Sequence, residues 1–277
     1  MPKNSVSADV STTRPIIGNG KIKLADIDTK SICDFDGDKA AGLAIIDEIS
    51  LRLDTLQTLL YAERKHKVII VLQAMDAGGK DGVIRKVFSR INPQGVRIAC
   101  FKAPTPAELA HDYLWRVHSQ TPEKGEIAVF NRSHYEDVLI TRVRGLIDDA
   151  TAKRRFRQIN DFEAMLTEEG VTVLKFFLHI SKDEQKQRLQ ERLDDPTKAW
   201  KFNISDLAER EKWDDYQRVY EDAINATSPP HAPWYVVPAD RNWVRDLVVS
   251  SVLVKTLEDF KMAYPKPAEG LDKVKIV

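Results

Sequence analysis

The sequence predicts an α/β fold in which a doubly wound parallel sheet is flanked by helices. Three observations indicate this fold. The run Val68–Leu72 is apolar without interruption, which is typical of a central strand covered on both faces. Segments with the periodicity of strands and of helices alternate along the chain. A glycine-rich turn follows the first of these strands, where folds of this class bind their ligands.

The composition is that of an ordinary globular protein. The chain has 277 residues, of which 42 are Lys or Arg and 42 are Asp or Glu, so its formal net charge is zero. A neutral protein is not expected to coat nucleic acid or an anionic membrane, although a local basic groove remains compatible with this balance. No apolar run reaches 18 residues, and the first 20 residues do not resemble a secretory signal. Two cysteines favour a reducing compartment, so we expect a cytoplasmic protein.

Periodicity places the elements in order. Residues 1–38 are expected to form a flexible arm, which contact with the body or with another subunit could order. A first amphipathic helix is predicted from Lys39 to about Lys65, and no linker composition interrupts residues 39–277, which we interpret as one domain. Further helices are predicted at about 80–91, 106–119, 133–144, 151–169, 181–194, 203–226 and 241–263. Further strands are predicted at 96–101, 127–130, 171–180 and 234–237.

Three of the predicted helices begin with the pattern of a capping box, in which a hydroxyl and a carboxylate three residues apart satisfy free amides. The pairs are Thr105 with Glu108, Ser133 with Glu136, and Ser181 with Glu184. For Glu136 the pattern leaves two interpretations, a helix cap or a catalytic carboxylate.

The turn after the first strand, Ala74–Gly82, has the features of a phosphate-binding loop. Its glycines allow the backbone to turn and to point amides inward, the following helix adds partial positive charge, and Lys80 adds a full one. A glycine turn without a ligand is the alternative interpretation. The phosphate-binding residues expected here, besides the lysine, are Ala77, Gly78, Gly79, Asp81 and Gly82.

Two aspartates stand in this segment. The carboxylate of Asp76 would repel phosphate, since like charges 4 Å apart cost about 1 kcal/mol in water and about 4 kcal/mol at an effective dielectric near 20. A divalent cation would make the arrangement favourable, and Mg²⁺ prefers carboxylate and phosphate oxygens. We therefore predict a Mg²⁺ cofactor with Asp76 as its ligand. Asp81 replaces the hydroxyl residue of the usual motif, and it could equally be a carboxylate favoured by the helix N-terminus.

A second cluster follows the predicted strand Ile127–Phe130. Because ligands in open α/β sheets lie outside the carboxyl ends of strands, Asn131 and Arg132 are expected at the site, with the arginine meeting phosphate. Lys102 follows the preceding predicted strand and is expected on the same edge, as a phosphate-binding residue. Glu136 completes the candidate catalytic set.

A predicted lid covers about residues 185–210. Arg188 and Arg192 are four residues apart on one helix face, Pro196 ends that helix, and a basic, aromatic segment follows. In phosphoryl-transfer enzymes such a lid excludes water and brings arginine onto the transferring phosphate. An ordinary helix–turn–helix with exposed charges is the alternative.

Four segments together resemble the family-2 polyphosphate kinases: Met75–Gly82, Asn92–Val96, Phe101–Thr105 and Phe130–Asp137. The later segment Trp200–Phe202 resembles that family's lid. The resemblance covers about residues 40–263. It implies a P-loop kinase-like fold similar to that of thymidylate kinase.

The resemblance also implies an activity and its partners. Inorganic polyphosphate would be the phosphoryl donor, Mg²⁺ the cofactor, and nucleoside mono- or diphosphates such as AMP, ADP and GDP the acceptors. Asp76 and Lys80 would be the loop aspartate and the loop lysine. Many relatives have Asp-Arg where this chain has Asn131 and Arg132, and this variation resembles the subgroup that phosphorylates both mono- and diphosphates. Members are commonly tetramers or dimers.

We therefore expect a Mg²⁺-dependent, reversible polyphosphate:nucleotide phosphotransferase. The expected catalytic residues are Asp76, Lys80, Asn131, Arg132 and Glu136. An ATP-dependent small-molecule kinase on the same scaffold, or a protein that binds polyphosphate or nucleotide without turnover, are the alternatives.

Overall fold

The computed structural model describes residues 16–17, 21–270, 274 and 276. A six-stranded sheet with flanking helices organises the described chain. The strands are β1 Ile16–Ile17, β2 Lys67–Ala74, β3 Val96–Cys100, β4 Ile127–Asn131, β5 Val171–His179 and β6 Trp234–Pro238. The helices are α1 Lys39–Glu63, α2 Lys80–Val87, α3 Pro106–Leu109, α4 Trp115–His118, α5 Ile140–Val143, α6 Asp149–Glu168, α7 Lys182–Asp194, α8 Ser205–Glu211, α9 Trp213–Ala226 and α10 Asn242–Asp259.

The sheet is doubly wound, as predicted. Its strand order is β1-β6-β5-β2-β4-β3, with β2 to β6 parallel and the two-residue β1 antiparallel to β6. The chain enters at the central strand β2, fills one side with β3 and β4, and then crosses to β5 and β6. The order therefore reverses beside β2, and ligands of such sheets bind at the carboxyl end of that position.

The core explains why β2 is apolar on both faces. Residues 68–72 are each at most 2% exposed, because helices cover both sides of the sheet's centre. On one side α1 packs along α10, and α10 also contacts α2. These packed layers fix the position of the segment that leaves β2.

Three predicted helices are interrupted in the structure. The helix expected at 106–119 is two short helices, because the Asp112 carboxylate accepts hydrogen bonds from the backbone of Leu114 and Trp115 and starts α4 separately. The helix expected at 203–226 is α8 and α9, which are separated where Lys212 leaves the helical conformation. The third case, 133–144, lies at the site and is described below.

Part of the expected N-terminal arm packs against the domain. The backbone of Ile22 exchanges two hydrogen bonds with the side chain of Asn225 on α9, each 2.9 Å long. Leu24 and Phe35 are buried in the core. Residues 21–38 are therefore continuous with the folded domain, whereas residues 1–15 and 18–20 of the arm lie outside the described residues.

No helix among the described residues combines the length and the apolar character that a membrane span requires.

Candidate active site

The loop between β2 and α2 is held by its own backbone. Ala77 (φ 60°) and Gly79 (φ 100°) both adopt the left-handed conformation, and the Gly78 amide donates to the Met75 carbonyl over 3.0 Å. A Cβ on Gly78 would lie 2.5 Å from the Cβ of Ala74. The alanine at the first-glycine position of the usual motif is thus accommodated because residue 78 has no side chain.

Lys80 folds back over this loop. Its Nζ donates to the Ala74 carbonyl over 2.9 Å. Burial, assisted by the neighbouring charge of Arg132, lowers the pKa of Lys80 to about 8. A phosphate in the loop would favour the charged form and would raise this pKa again.

Asp76 and Arg132 form an ion pair across the sheet edge. Arg132 Nη2 donates to Asp76 Oδ1 over 2.9 Å. The two residues meet because each follows one of two adjacent parallel strands, β2 and β4. Arg132 has φ 62°, a conformation that costs a non-glycine residue about 1–2 kcal/mol and that is found at functional sites.

The Glu136 carboxylate faces Arg132 and does not cap the start of a helix. Ser133 Oγ accepts from the Tyr135 amide and from Gln73, each over 3.2 Å, so the predicted capping box with Glu136 is wrong. The nearest carboxylate oxygen of Glu136 lies 3.9 Å from Arg132 Nη1. Burial raises the pKa of Glu136, while the charges of Arg132 and Lys80 oppose that rise.

The segment that contains Glu136 also differs from the predicted helix at 133–144. It is a 3-10 turn over His134–Val138, followed by the short α5. The side chains of His134 and Tyr135 point into the core, where they are at most 2% exposed and both contact the Glu163 carboxylate of α6. Of the other two predicted boxes, the one at Thr105 and Glu108 is complete, whereas the Glu184 carboxylate binds Arg188 instead of its cap.

Asp81, in the first turn of α2, and Asn131, at the end of β4, are brought together. Asn131 Nδ2 donates to Asp81 Oδ1 over 2.9 Å, and Lys201 Nζ lies 3.7 Å from Asp81 Oδ2. Burial would raise the pKa of Asp81, but the hydrogen bond from Asn131 and the charge of Lys201 hold it below its usual value. The side-chain amide of Asn131 therefore holds the Asp81 carboxylate at the start of α2. Lys201, which belongs to the segment 192–206 that forms another wall of the cavity, approaches the same carboxylate.

The two arginines of the predicted lid have different environments. Arg192 lines the cavity and lies 3.8 Å from Asp206. Arg188 lies behind the loop, where Nη1 donates to the Ala77 carbonyl over 3.2 Å and Nη2 to the Ala239 carbonyl over 2.5 Å. In this arrangement Arg188 supports the loop backbone and is not aimed at the place of a phosphate, which differs from the sequence expectation.

Except for Glu136 and Arg188, the predicted site residues surround one cavity of about 820 Å³. Its walls are the loop after β2, the carboxyl ends of β3 and β4, and the segment 192–206. Six cationic side chains line it, against the three carboxylates of Asp76, Asp81 and Asp206, so its lining carries an excess of three positive charges. The cations are Lys80, Lys102, Arg132, Arg192, Lys198 and Lys201.

Several residues at the site were missed by sequence reasoning. Gln185 Nε2 donates to the Asp76 carbonyl over 2.9 Å, and Glu209 on α8 accepts from Tyr216 and from Arg144. Polar residues on helices usually face solvent, so the sequence carries no signal for these contacts. Lys198 and Lys201, by contrast, belong to the basic, aromatic segment that the sequence does mark.

Comparison with known proteins identifies the family of this chain. Residues 37–265 match the family described as Polyphosphate kinase 2 (PPK2). The AMP/ADP-polyphosphate phosphotransferase of Meiothermus ruber is 56% identical over 258 residues, which are 93% of this chain and 97% of that protein. The ADP-polyphosphate phosphotransferase of Rhodopseudomonas palustris is 48% identical over 227 residues, 78% of each chain.

A solved structure shows the same fold. The crystal structure of Polyphosphate Kinase 2 from Arthrobacter aurescens TC1 superposes with a TM-score of 0.90 at 44% identity, covering 94% of this chain and 92% of that one. The similarity to this crystal structure, in both sequence and backbone, therefore extends along nearly the whole length of the chain. The chain belongs to the polyphosphate kinase 2 family.

Proposed function

We propose that this protein transfers the terminal phosphoryl group of inorganic polyphosphate to nucleoside mono- and diphosphates, with AMP, ADP and GDP as acceptors. The observation that carries the proposal is the cavity in which Lys80, Arg132 and the cations of segment 192–206 converge with a net excess of positive charge. An open, cationic cavity suits a linear polyanion. The names of the relatives from Meiothermus ruber and Rhodopseudomonas palustris support the same donor and acceptors.

The reaction needs positioning and charge neutralisation more than covalent chemistry. Lys80 and Arg132 would neutralise oxygens of the transferring phosphoryl group, and Arg192 would do so from the lid. The acceptor's terminal phosphate oxygen attacks in line, and the shortened polyphosphate leaves. One phosphoanhydride replaces another when ATP is formed, so the reaction should run in both directions.

The residues present fit a Mg²⁺ cofactor. Within the part of the chain that the structure describes, no three His, Cys, Asp or Glu side chains are grouped so that they could hold a metal by themselves. Mg²⁺ does not need such a group, because it commonly binds through one or two carboxylates together with substrate phosphates and water. Asp76 lines the cavity and would hold the Mg²⁺ ion. The bound ion would supply positive charge that neutralises the reacting phosphates. Burial and the charge of Asp76 both raise the pKa of Asp206, while the charges of Arg192 and Arg132 oppose that rise.

An activity panel tests this proposal. Purified protein is mixed with Mg²⁺ and long-chain polyphosphate, and with AMP, ADP, GMP or GDP in turn. ATP with short-chain polyphosphate as the acceptor tests the reverse direction, in which ADP and a longer chain form. We expect ATP from ADP and ADP from AMP, both abolished by a chelator. Absence of any nucleotide product would refute the proposal: turnover with ATP and a metabolite alone would indicate an ATP-dependent kinase, and Mg²⁺-dependent binding without product a binding protein.

We also propose that the protein assembles as a dimer or tetramer and acts in the cytoplasm without a nucleic-acid or membrane partner. The family membership supports the assembly, and the balanced charge supports the absence of a polyanionic surface partner. Light scattering during gel filtration tests the assembly. A monomeric mass at micromolar concentration would contradict it.

A further inference from the structure

Arg245 lies directly behind the phosphate loop. It stands in the first turns of α10 and is 4% exposed, outside the cavity. Its Nη1 donates to Asn242 Oδ1 over 2.7 Å, and its Nε and Nη2 donate to Asp246 Oδ1 over 2.9 and 2.7 Å. The Asp246 carboxylate neutralises the charge of Arg245. The guanidinium therefore affects the loop mainly through the space that it occupies behind it.

Two glycines of the loop make room for this guanidinium. A Cβ on Gly79 would overlap Arg245 Nη1, and a Cβ on Gly82 would lie 2.8 Å from Nη2. The general phosphate-loop motif, G-x-x-x-x-G-K-[ST], ends before residue 82, so it gives no reason for a glycine there. The structure supplies one, because the first turn of α2 rests against the flat group of Arg245 and has no space for a side chain.

Arg188 strengthens the same support. It donates to Asn242 Oδ1 over 3.3 Å and to the Ala77 carbonyl over 3.2 Å, so one asparagine oxygen joins two guanidinium groups behind the loop. The loop's backbone is thereby tied to α7 and α10, which are far apart in sequence. A displacement of about 1 Å at such a place can cost about a hundredfold in rate, since the donors no longer point at the reacting group.

We infer that Arg245 is a positioning residue for phosphate binding: it sets the first turn of α2 so that Lys80 and the loop amides face the ligand. This inference rests on the proposed binding of phosphate at the loop. It also assigns Gly82 a role, which is to leave space for Arg245 behind the first turn of α2.

A binding experiment separates this role from folding. Calorimetric titration with inorganic tripolyphosphate and Mg²⁺ is made on wild type, Arg245→Met, Arg245→Lys and the matched control Arg241→Met, which changes an exposed arginine one turn earlier. All titrations run well below each variant's Tm. If Arg245→Met fails to fold because Asp246 is left without a partner, Arg245→Met/Asp246→Asn replaces it.

We expect affinity for tripolyphosphate to fall about tenfold in the folded Arg245→Met protein and by less in Arg245→Lys. A tenfold loss corresponds to about one well-made hydrogen bond between the loop and the ligand. Arg241→Met should bind as wild type does. Unchanged affinity in folded Arg245→Met would overturn the inference, as would a wild-type protein that does not bind tripolyphosphate. Wild type that binds tripolyphosphate without turnover would refute the proposed function alone.

A double-mutant cycle with Gly82→Ala gives the second readout. Gly82→Ala should weaken binding because its methyl group meets the guanidinium, and the double variant Gly82→Ala/Arg245→Met should lose less than the product of the two single losses. Strictly multiplicative losses would overturn the role assigned to Gly82.

Discussion

The carboxyl ends of β2 and β4 lie side by side and both carry site residues, yet they are held in different ways. The loop after β2 is fixed locally: its left-handed residues, its turn and the contact of Lys80 with the Ala74 carbonyl all fall within seven residues. The segment after β4 is fixed from a distance, by buried side chains of α6 and β5. The turn after β2 is thus shaped by adjacent sequence and is also bound from behind by Gln185 and Arg188 of α7, whereas the segment after β4 depends on packing across the domain.

The distant support consists of a buried network. Lys175 Nζ donates to Glu163 Oε2 over 2.5 Å, to Tyr135 Oη over 2.9 Å and to the Thr227 carbonyl over 2.7 Å. Tyr135 Oη in turn donates to Glu163 Oε1 over 2.9 Å, and His134 Nε2 lies 3.2 Å from the same oxygen. Burial would raise the pKa of Glu163, but the charge of Lys175 holds it below its usual value. This network anchors His134 and Tyr135, which directly follow Arg132 and Ser133 in the chain.

The largest expected effect is on the β4 side. Lys175→Met should lower the free energy of unfolding by about 3–5 kcal/mol, because it leaves the Glu163 carboxylate buried without its cation. Urea titration measures the change. Adding Glu163→Gln should recover a large part of the loss, and a single variant that loses less than about 1 kcal/mol would show that the network does not support the fold as described.

The next effect is on the β2 side and concerns activity instead of folding. Lys80→Met should reduce kcat by about 10²–10³, the loss expected for one well-placed group that stabilises developing charge. The free energy of unfolding should not fall, because the substitution removes a buried charge that burial disfavours. Arg85→Met, which changes an exposed residue of the same helix, is the control and should leave kcat unchanged. A Lys80→Met enzyme within twofold of wild type would contradict the role of the loop.

The pH dependence of kcat/KM sharpens the same point. The pKa of Lys80 is about 8, below its usual value, so its charged form is present below about pH 8 and is lost above it. We expect kcat/KM for polyphosphate to fall above pH 8 in the free enzyme, while kcat holds to higher pH because bound phosphate favours the charged lysine. Profiles between about pH 6.5 and 10 test this, and a kcat/KM that stays flat to pH 10 would refute it.

The smallest effect is expected in the segment 192–206, within the predicted lid. Lys201 lies 3.7 Å from Asp81 and is partly exposed, so its charge is screened by solvent. Lys201→Ala should raise KM for polyphosphate by about three- to tenfold, with kcat nearly unchanged, and the difference should shrink at high salt. Lys186→Ala, exposed on α7, serves as the control. Equal KM values for Lys201→Ala and wild type at low salt would show that this lysine does not meet the donor.

The comparison also shows what the sequence could reveal. The strands, the loop at 74–82 and the neighbouring ends at 131–132 were predictable because apolar runs and glycines act over a few residues. The loop's lysine and aspartate line the cavity as expected. The split of the helix at 106–119 was missed, since a single Asp112 side chain decides it.

The support behind the site was not predictable in the same way. Arg245, Gln185 and Glu163 lie on helices far along the chain, and nothing in their local sequence distinguishes a buried partner of the loop from a solvated charge. Arg188 shows the same limit: its position beside Arg192 suggested a role on phosphate, and in this arrangement its guanidinium binds the carbonyls of Ala77 in the loop and of Ala239 after β6. Only tertiary packing decides which of two neighbouring arginines enters the cavity.

We propose that the Asp76 carboxylate is tolerated among phosphates because a bound Mg²⁺ ion neutralises it. The most direct measurement is the Mg²⁺ dependence of ATP formation from ADP and polyphosphate by Asp76→Asn, which keeps the size of the side chain and removes its charge. We predict that turnover falls about a hundredfold or more and that half-saturation requires more Mg²⁺, with the free energy of unfolding within about 1 kcal/mol of wild type. Near-normal turnover with an unchanged Mg²⁺ requirement would contradict the account.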